Sequence, residues 1–346
     1  MSSMDLFTPV VPVDKQHRIF SYLLAPEHQP EREVLCQWAS GFVDRDKKFV
    51  KEFQTTFESS MWELYVFAYL KELGADVDFS HATPDFVVDL HSQFCIEATV
   101  AAPAQGTPSP FGEFSSDILP KDLNDFNSQA TLRICNRLDA KMTKYREGYA
   151  SLEHVSEKPF VLALASFDRP SSYMEGSRPI MAALYGIYWD EEATRHAQTP
   201  FIVRYPVETV KKNKSTCIPL GLFTDDRYHE LSAVIYNPLA TWGKIRALAD
   251  SPAASSVYTT FHTQEGRIAP EIRNSLKKDY SEHLLDGCFV FHNPHASRPL
   301  NREPLHHERI AQVWMTESGE LQSNEPDDFL LMRLIHSLRH TGSTLF

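Results

Sequence analysis

Glu63 is the only charged residue in the run Ser59–Leu70, SSMWELYVFAYL. At helical spacing Phe67 and Leu70 share its face, and the opposite face is apolar too. A lone carboxylate in a helix buried on most sides costs several kcal/mol unless it meets a salt-bridge partner, a metal ion or a proton. Two further acids follow at a spacing that pairs them. Asp85 opens a strand-like run, Asp85–Leu90, and Glu97 lies in the middle of the next, Phe94–Val100, with a turn at His91–Gln93 between. An antiparallel hairpin about His91–Ser92 brings Asp85 and Glu97 near each other across the ladder. Carboxylates on adjacent strands raise each other's pKa unless a cation sits between them. A hard, oxygen-liganded ion such as Mg2+ or Mn2+ suits such a pair, with water and phosphate at the remaining positions.

The order of these parts carries a resemblance. A helix with Glu63, then Pro84-Asp85, then Glu97-Ala98-Thr99 in the next strand, then a helix and a strand, resembles the PD-(D/E)XK nuclease superfamily over roughly residues 46–167. The resemblance implies a restriction-endonuclease-like αβββαβ core, with a mixed central sheet and helices on both faces. It also implies metal-dependent hydrolysis of phosphodiester bonds in DNA or RNA. Asp85 and Glu97 would hold Mg2+ or Mn2+, and Glu63 would bind the metal directly, through water, or act as a base. The sequence departs from the pattern at Thr99, where the superfamily carries a lysine that orients or activates the attacking water. A threonine hydroxyl can hydrogen-bond a water but supplies no charge. In this superfamily the lysine is known to migrate to a neighbouring helix, so the resemblance permits Lys141 to take its place.

Lys141 belongs to a basic helix. Thr131–Arg146 carries Arg133, Arg137, Lys141, Lys144 and Arg146 against Asp139 alone. Arg133, Arg137 and Lys144 form one stripe beside the apolar positions Ile134, Leu138 and Tyr145, and Lys141 falls on the seam, about 20° from Ile134. A seam lysine can bend toward the sheet or snorkel to solvent. The stripe matches the charge spacing of a nucleic-acid backbone, which makes Arg133, Arg137 and Lys144 candidate phosphate contacts. A solvated helix face paired with acidic neighbours is the other reading. Lys211-Lys212-Asn213-Lys214 forms a second basic cluster.

The elements that must position these groups are legible in the first half. The spacing predicts a short helix near Arg32–Ala39, a long one over Asp46–Leu73 and another over Asp125–Tyr149. Strands are expected at Ala75–Phe79, Asp85–Leu90, Phe94–Val100 and Phe160–Phe167. The proline-rich stretch 101–121 reads as a loop long enough to form a flap. In the second half Met181–Trp189, Leu231–Tyr236, Ser256–Phe261 and Gly287–Phe291 read as strands or short buried pieces, and Trp242–Ala249 and Asp328–His340 as helices. Asn237-Pro238 and Asn293-Pro294 each follow a strand and read as turns. This divides the chain into a lead-in (1–45), the nuclease-like core (46–167) and a large C-terminal α/β elaboration (168–346) packed on that core.

Composition bounds the rest. The chain has 346 residues, 42% hydrophobic and 23% charged, enough to bury a full core and unlike a disordered chain. A net charge of −12 means that a nucleic-acid partner must be met by a local basic patch. Five scattered cysteines with no C-x-x-C argue for reduced thiols, a cytoplasmic setting and no cysteine-held zinc. No basic start followed by a long apolar run marks a signal peptide, and the apolar stretches fall short of the ~18 residues of a membrane span. His292-Asn293-Pro294-His295 with His306-His307 lacks the helical spacing or companion ligands of a metal site. Phosphate-loop, dinucleotide-binding and nucleophile-elbow motifs are missing, which leaves ATPase, dehydrogenase and α/β-hydrolase chemistry unsupported. Three readings therefore stand: a metal-dependent nuclease, a nuclease-like module that no longer cuts and binds nucleic acid or a protein partner, or an unrelated α/β protein whose carboxylates only cap and bridge.

Overall fold

The computed structural model describes residues 4–103, 106, 110–111, 120–197, 201–213, 215–252 and 254–337. Most of the loop expected over 101–121, and Lys214 of the second basic cluster, lie outside the described residues. In chain order the first half contains α1 (Arg18–Leu23), α2 (Gln29–Ala39), α3 (Phe49–Thr55), α4 (Phe57–Glu72), β1 (Asp76–Asp78), β2 (Phe86–Asp89), β3 (Gln93–Ala101), α5 (Leu123–Lys144) and β4 (Phe160–Ser166). The second half adds α6 (Arg178–Tyr185), β5 (Ile187–Trp189), α7 (Glu191–His196), β6 (Arg204–Pro206), β7 (Thr209–Lys211), β8 (Cys217–Pro219), β9 (Leu231–Tyr236) and α8 (Trp242–Leu248). It ends with β10 (Ser256–Gln264), β11 (Arg267–Leu276), β12 (Cys288–His292), β13 (Ile310–Met315), β14 (Leu321–Ser323) and β15 (Leu330–Ser337).

The protein is α/β, built on an eight-stranded mixed sheet of order β1-β2-β3-β4-β9-β12-β13-β14. Pairs β1–β2 and β2–β3 are antiparallel, β3–β4 and β4–β9 parallel, β9–β12 antiparallel, β12–β13 parallel and β13–β14 antiparallel. Half of the sheet thus comes from beyond residue 168. The C-terminal portion continues the sheet and also carries a smaller antiparallel one, β11-β10-β15.

Alternation along β4 shows why both faces must be covered. Val161, Ala163 and Ala165 enter one core, with Phe53, Trp62 and Tyr65 from the α3–α4 side. Phe160, Leu162 and Leu164 enter the other, with Ile134, Leu138 and Met142 from α5 and Ile180 and Leu184 from α6. Such two-sided burial is what a mainly parallel centre requires. The Trp62 indole donates to the carbonyl of Ala163 at 2.9 Å, which fixes α4 on the middle of the sheet. On the other face α5 starts at Asp122, whose side chain accepts from the Asn124 and Asp125 amides as an N-cap. It ends in a wider π turn, Tyr145–Tyr149.

Three expected elements are corrected. The helix expected over Asp46–Leu73 is two helices, broken at Thr56, where the backbone leaves helical geometry (φ −128°, ψ 55°). Met181–Trp189 is not one strand. Arg178–Tyr185 is helical, with proline in its first turn and left-handed Gly186 (φ 65°) at its end, and the strand begins at Ile187. The helix expected over Asp328–His340 is instead strand β15, which pairs with β10. Asn237 and Asn293 do form turns: each side-chain oxygen accepts the amide two residues on, from Leu239 and His295, both at 2.9 Å.

Candidate functional site

The β2–β3 ladder pairs Phe86 with Ile96 and runs in strict antiparallel register to Asp89 and Gln93. One step further, that register sets Asp85 against Glu97, on the same side of the sheet as the paired Val87 and Cys95. Asp85 stands just before β2, and its Oδ2 accepts the Ala98 amide at 2.7 Å, which ties the acid to β3. The loop ahead of it is held from two directions. The Arg45 guanidinium donates to the carbonyls of His81 and Pro84, and His154 Nε2 lies 2.6 Å from the carbonyl of Thr83.

Glu97 is 2% exposed. Lys141 Nζ lies 2.6 Å from its Oε1, and Lys144 Nζ lies 3.2 Å from the same oxygen. The seam position of Lys141 therefore turns inward, as its angular place on α5 allows. Burial works to raise Glu97, but the two ammonium groups outweigh it and hold the carboxyl below its ordinary range. Burial and the neighbouring Glu97 charge push Asp85 up to about 6, against the opposing pull of Lys141. Glu63, on α4, rises further, to about 8, through burial and then the charge of Asp85. Glu63 and Asp85 line one cleft of about 180 Å³, together with Asp44, Arg45, Asp46 and Glu52. The three acids singled out in the sequence thus feel one another, and two of them open onto a shared cavity.

The remaining candidates are engaged within the protein. Thr99 is buried, and its hydroxyl accepts from Arg137 Nε. Arg133 reaches 3.6 Å from Asp168, a carboxylate that Arg169 also holds at 2.6 Å. Lys144 keeps 56% of its side chain exposed despite its contact with Glu97. Of the basic stripe, then, two members turn to internal oxygens and one stays largely in solvent. The physical reason is that buried oxygens on β3 and after β4 lie within reach of α5 and attract the nearest cations.

Two participants were not anticipated. Arg45 is the cation that eases the pKa of Glu63 downward, and it adds a smaller pull on Asp85 behind that of Lys141. It stands between Asp44 and Asp46, in a stretch where nothing in the spacing singles out one charge. Tyr149 places a buried hydroxyl among Glu97 and Asp85, whose charges help to push its pKa upward after burial does. Its position four residues after Tyr145, on the helical extension of the apolar face, was the available signal.

The donor chemistry is that of a hard cation. Glu63 and Asp85 offer carboxylate oxygens at a cavity wide enough for several waters, and Mg2+ is commonly held by one or two carboxylates with water completing its shell. Glu97 is already neutralised by lysine. Among the described residues no group of three or more His, Cys, Asp or Glu side chains is disposed to hold a metal ion. Among them, too, no helix is long and apolar enough to cross a membrane. No protein-family model, no curated protein and no solved structure matches the chain.

Proposed function

We propose that the protein is a metal-dependent phosphodiester hydrolase acting on DNA or RNA, with α4-β1-β2-β3-α5-β4 as a restriction-endonuclease-like core. The observation that carries this reading is the 2.6 Å contact of Lys141 with Glu97, in a strand register that sets Glu97 beside Asp85. A lysine from the following helix thereby stands at the acid whose own strand offers only Thr99. Asp85 and Glu63 would hold Mg2+ or Mn2+ with water. Once bound, such an ion lowers the pKa of a coordinated water and stabilises charge on the phosphate. Glu97 fixes the Lys141 ammonium, and Lys141 orients the attacking water and offers it a positive charge. Lys144, exposed on the same helix, meets a substrate phosphate. The test is cleavage of a panel of single- and double-stranded DNA and RNA in Mg2+ or Mn2+. Activity that Glu97→Gln abolishes while the protein stays folded supports the assignment, and unchanged cleavage by that variant moves the active site elsewhere.

A second reading is favoured by one observation: Glu97 spends its charge on two lysines, which leaves two carboxylates at the cleft. On that reading the fold binds nucleic acid or a protein partner without cutting. Wild-type protein that binds nucleic acid in Mg2+ and leaves every substrate intact decides for it.

A further inference from the structure

The small sheet β11-β10-β15 turns mostly polar side chains toward the protein and apolar ones away from it. In its ladders Tyr258 stands opposite Ser275 and Ile335, and Thr260 opposite Arg273 and Arg333. This is the inner face, for Tyr258, Thr260 and Arg333 are each no more than 4% exposed. A buried ionic anchor holds it there. Arg333 pairs with Glu282, which the fully buried Lys244 also reaches, at 2.5 Å. The Tyr258 hydroxyl donates to the carbonyl of Arg246 at 3.1 Å. Strand side chains alternate with a period of two, so drawing Arg333 inward sends the other set outward.

That outer set is apolar. Phe261 stands opposite Ile272 and Met332, Val257 opposite Leu276, and Leu334 beside them on β15. Between the two rows the Thr259 hydroxyl donates to the side chain of Asn274 at 2.7 Å, so the polar pair at the centre satisfies itself. His336 borders the face, and its three paired rows hold no Lys, Arg, Asp or Glu. None of the six apolar residues joins either core, and Ile272 is 57% exposed. A contiguous apolar face left open in this way marks an interaction surface.

Size and charge select the occupant. Strands of 8 to 10 residues make up the face. At about 3.4 Å per residue and about 4.8 Å between strands it measures about 30 by 14 Å. Two such faces in contact bury about 850 Å² in all, the size class of weak, reversible association. A two-fold contact sets a patch against itself, and an uncharged patch meets no repulsion from its own image. It also offers no cation to a nucleic-acid backbone. The net charge of −12 resides elsewhere on the chain and opposes pairing only at long range.

We propose that the outer face of β11-β10-β15 is a homodimer interface, in which two copies of the chain stack these sheets about 10 Å apart around a two-fold axis. Each copy supplies the layer that the other lacks. The proposal stands independently of the nuclease reading, because it shares none of the residues assigned to that chemistry.

The test is sedimentation velocity of the full chain from about 1 to 300 µM. A reversible dimer with a Kd on the order of 50 µM is expected, and it should tighten several-fold between about 50 and 500 mM NaCl as the net charge is screened. Ile272→Lys on β11 and Thr259→Lys on the central strand should each weaken it at least about tenfold, since either puts like charges face to face. Val13→Lys adds the same charge at an exposed apolar position outside the sheet and should leave Kd within about twofold. Thermal melts establish that each variant is folded, and if Thr259→Lys is not, Leu334→Lys on β15 takes its place. A chain that stays monomeric at about 300 µM overturns the proposal, as does a dimer that weakens with salt or one that Val13→Lys disrupts equally. Loss with Ile272→Lys alone would mean edge-to-edge pairing through β11, and would overturn the stacked arrangement.

Discussion

Replacing Glu63 by glutamine should stabilise the metal-free protein in alkali and leave it unchanged in mild acid. The carboxyl is displaced from 4.5 to about 8, because burial and the Asp85 charge disfavour its ionised form. At full strength a shift of that size corresponds to about 5 kcal/mol. Glu63 opens onto the cleft and titrates together with Asp85, so about 1–3 kcal/mol is the working figure. The sign follows from linkage. The folded state holds this proton more tightly than the unfolded chain, so the contribution is fully present below the ordinary carboxylate range and is lost as pH rises through about 8. Glutamine mimics the protonated form at every pH. At about 1.5 °C per kcal/mol for a chain of this length, the variant should melt about 2–4 °C above wild type at pH near 9, and within a degree of it at pH near 5. Thermal melts followed by circular dichroism in chelator give both values. A variant that melts lower than wild type at pH 9 would mean that Glu63 is ionised and favourably paired, which overturns the electrostatic account of the cleft.

Mn2+ should raise the melting temperature of wild type in a saturable way, and the rise should shrink in Asp85→Asn, measured in the same melts. Glu97 contributes in the opposite sense to Glu63: held low by its two lysines, it supports stability above the ordinary carboxylate range and loses that support as pH falls through its lowered value. An acid titration of Glu97→Gln should therefore lack part of the wild-type loss. Lys141→Ala should cut turnover at least about a hundredfold with little change in nucleic-acid affinity, whereas Lys144→Ala should weaken binding and reduce the salt slope by about one. Equal defects in both variants, read by single-turnover cleavage and salt-dependent binding, would make Lys141 one more phosphate contact.

The first half of the chain was legible because its signals are local. Gly74, the turn about His91 and the alternation through Val87, Ile96 and Val100 fix strand order without reference to distant residues. The seam position of Lys141 likewise followed from helical arithmetic alone. The second half defeated the same logic for a definite reason. Met181–Trp189 is a continuous apolar run, and such runs do not distinguish a buried helix from a strand. Pro179 and Gly186 bracket the helix and were the better guide. In Leu330–Ser337 the buried Arg333 faces Glu282, 51 residues away in sequence, and no local pattern announces that pairing. The same holds for Arg133 with Asp168 and for the place of Arg45 at the cleft, since each depends on which strands and loops meet after folding.

The position of β4 has a consequence for synthesis. All seven of its residues are buried, and its two neighbours in the sheet are β3, which precedes it, and β9, which begins about 65 residues after it ends. At roughly 5–20 residues per second a ribosome takes about 3–13 s to deliver β9. During that interval β4 presents an unpaired edge, apolar in all but Ser166, the kind of edge that templates association between chains. Its partner arrives only through high contact order, so the nascent chain passes through a stage in which the central strand has one edge open to association. A chain truncated after residue 167 would keep that exposed edge permanently.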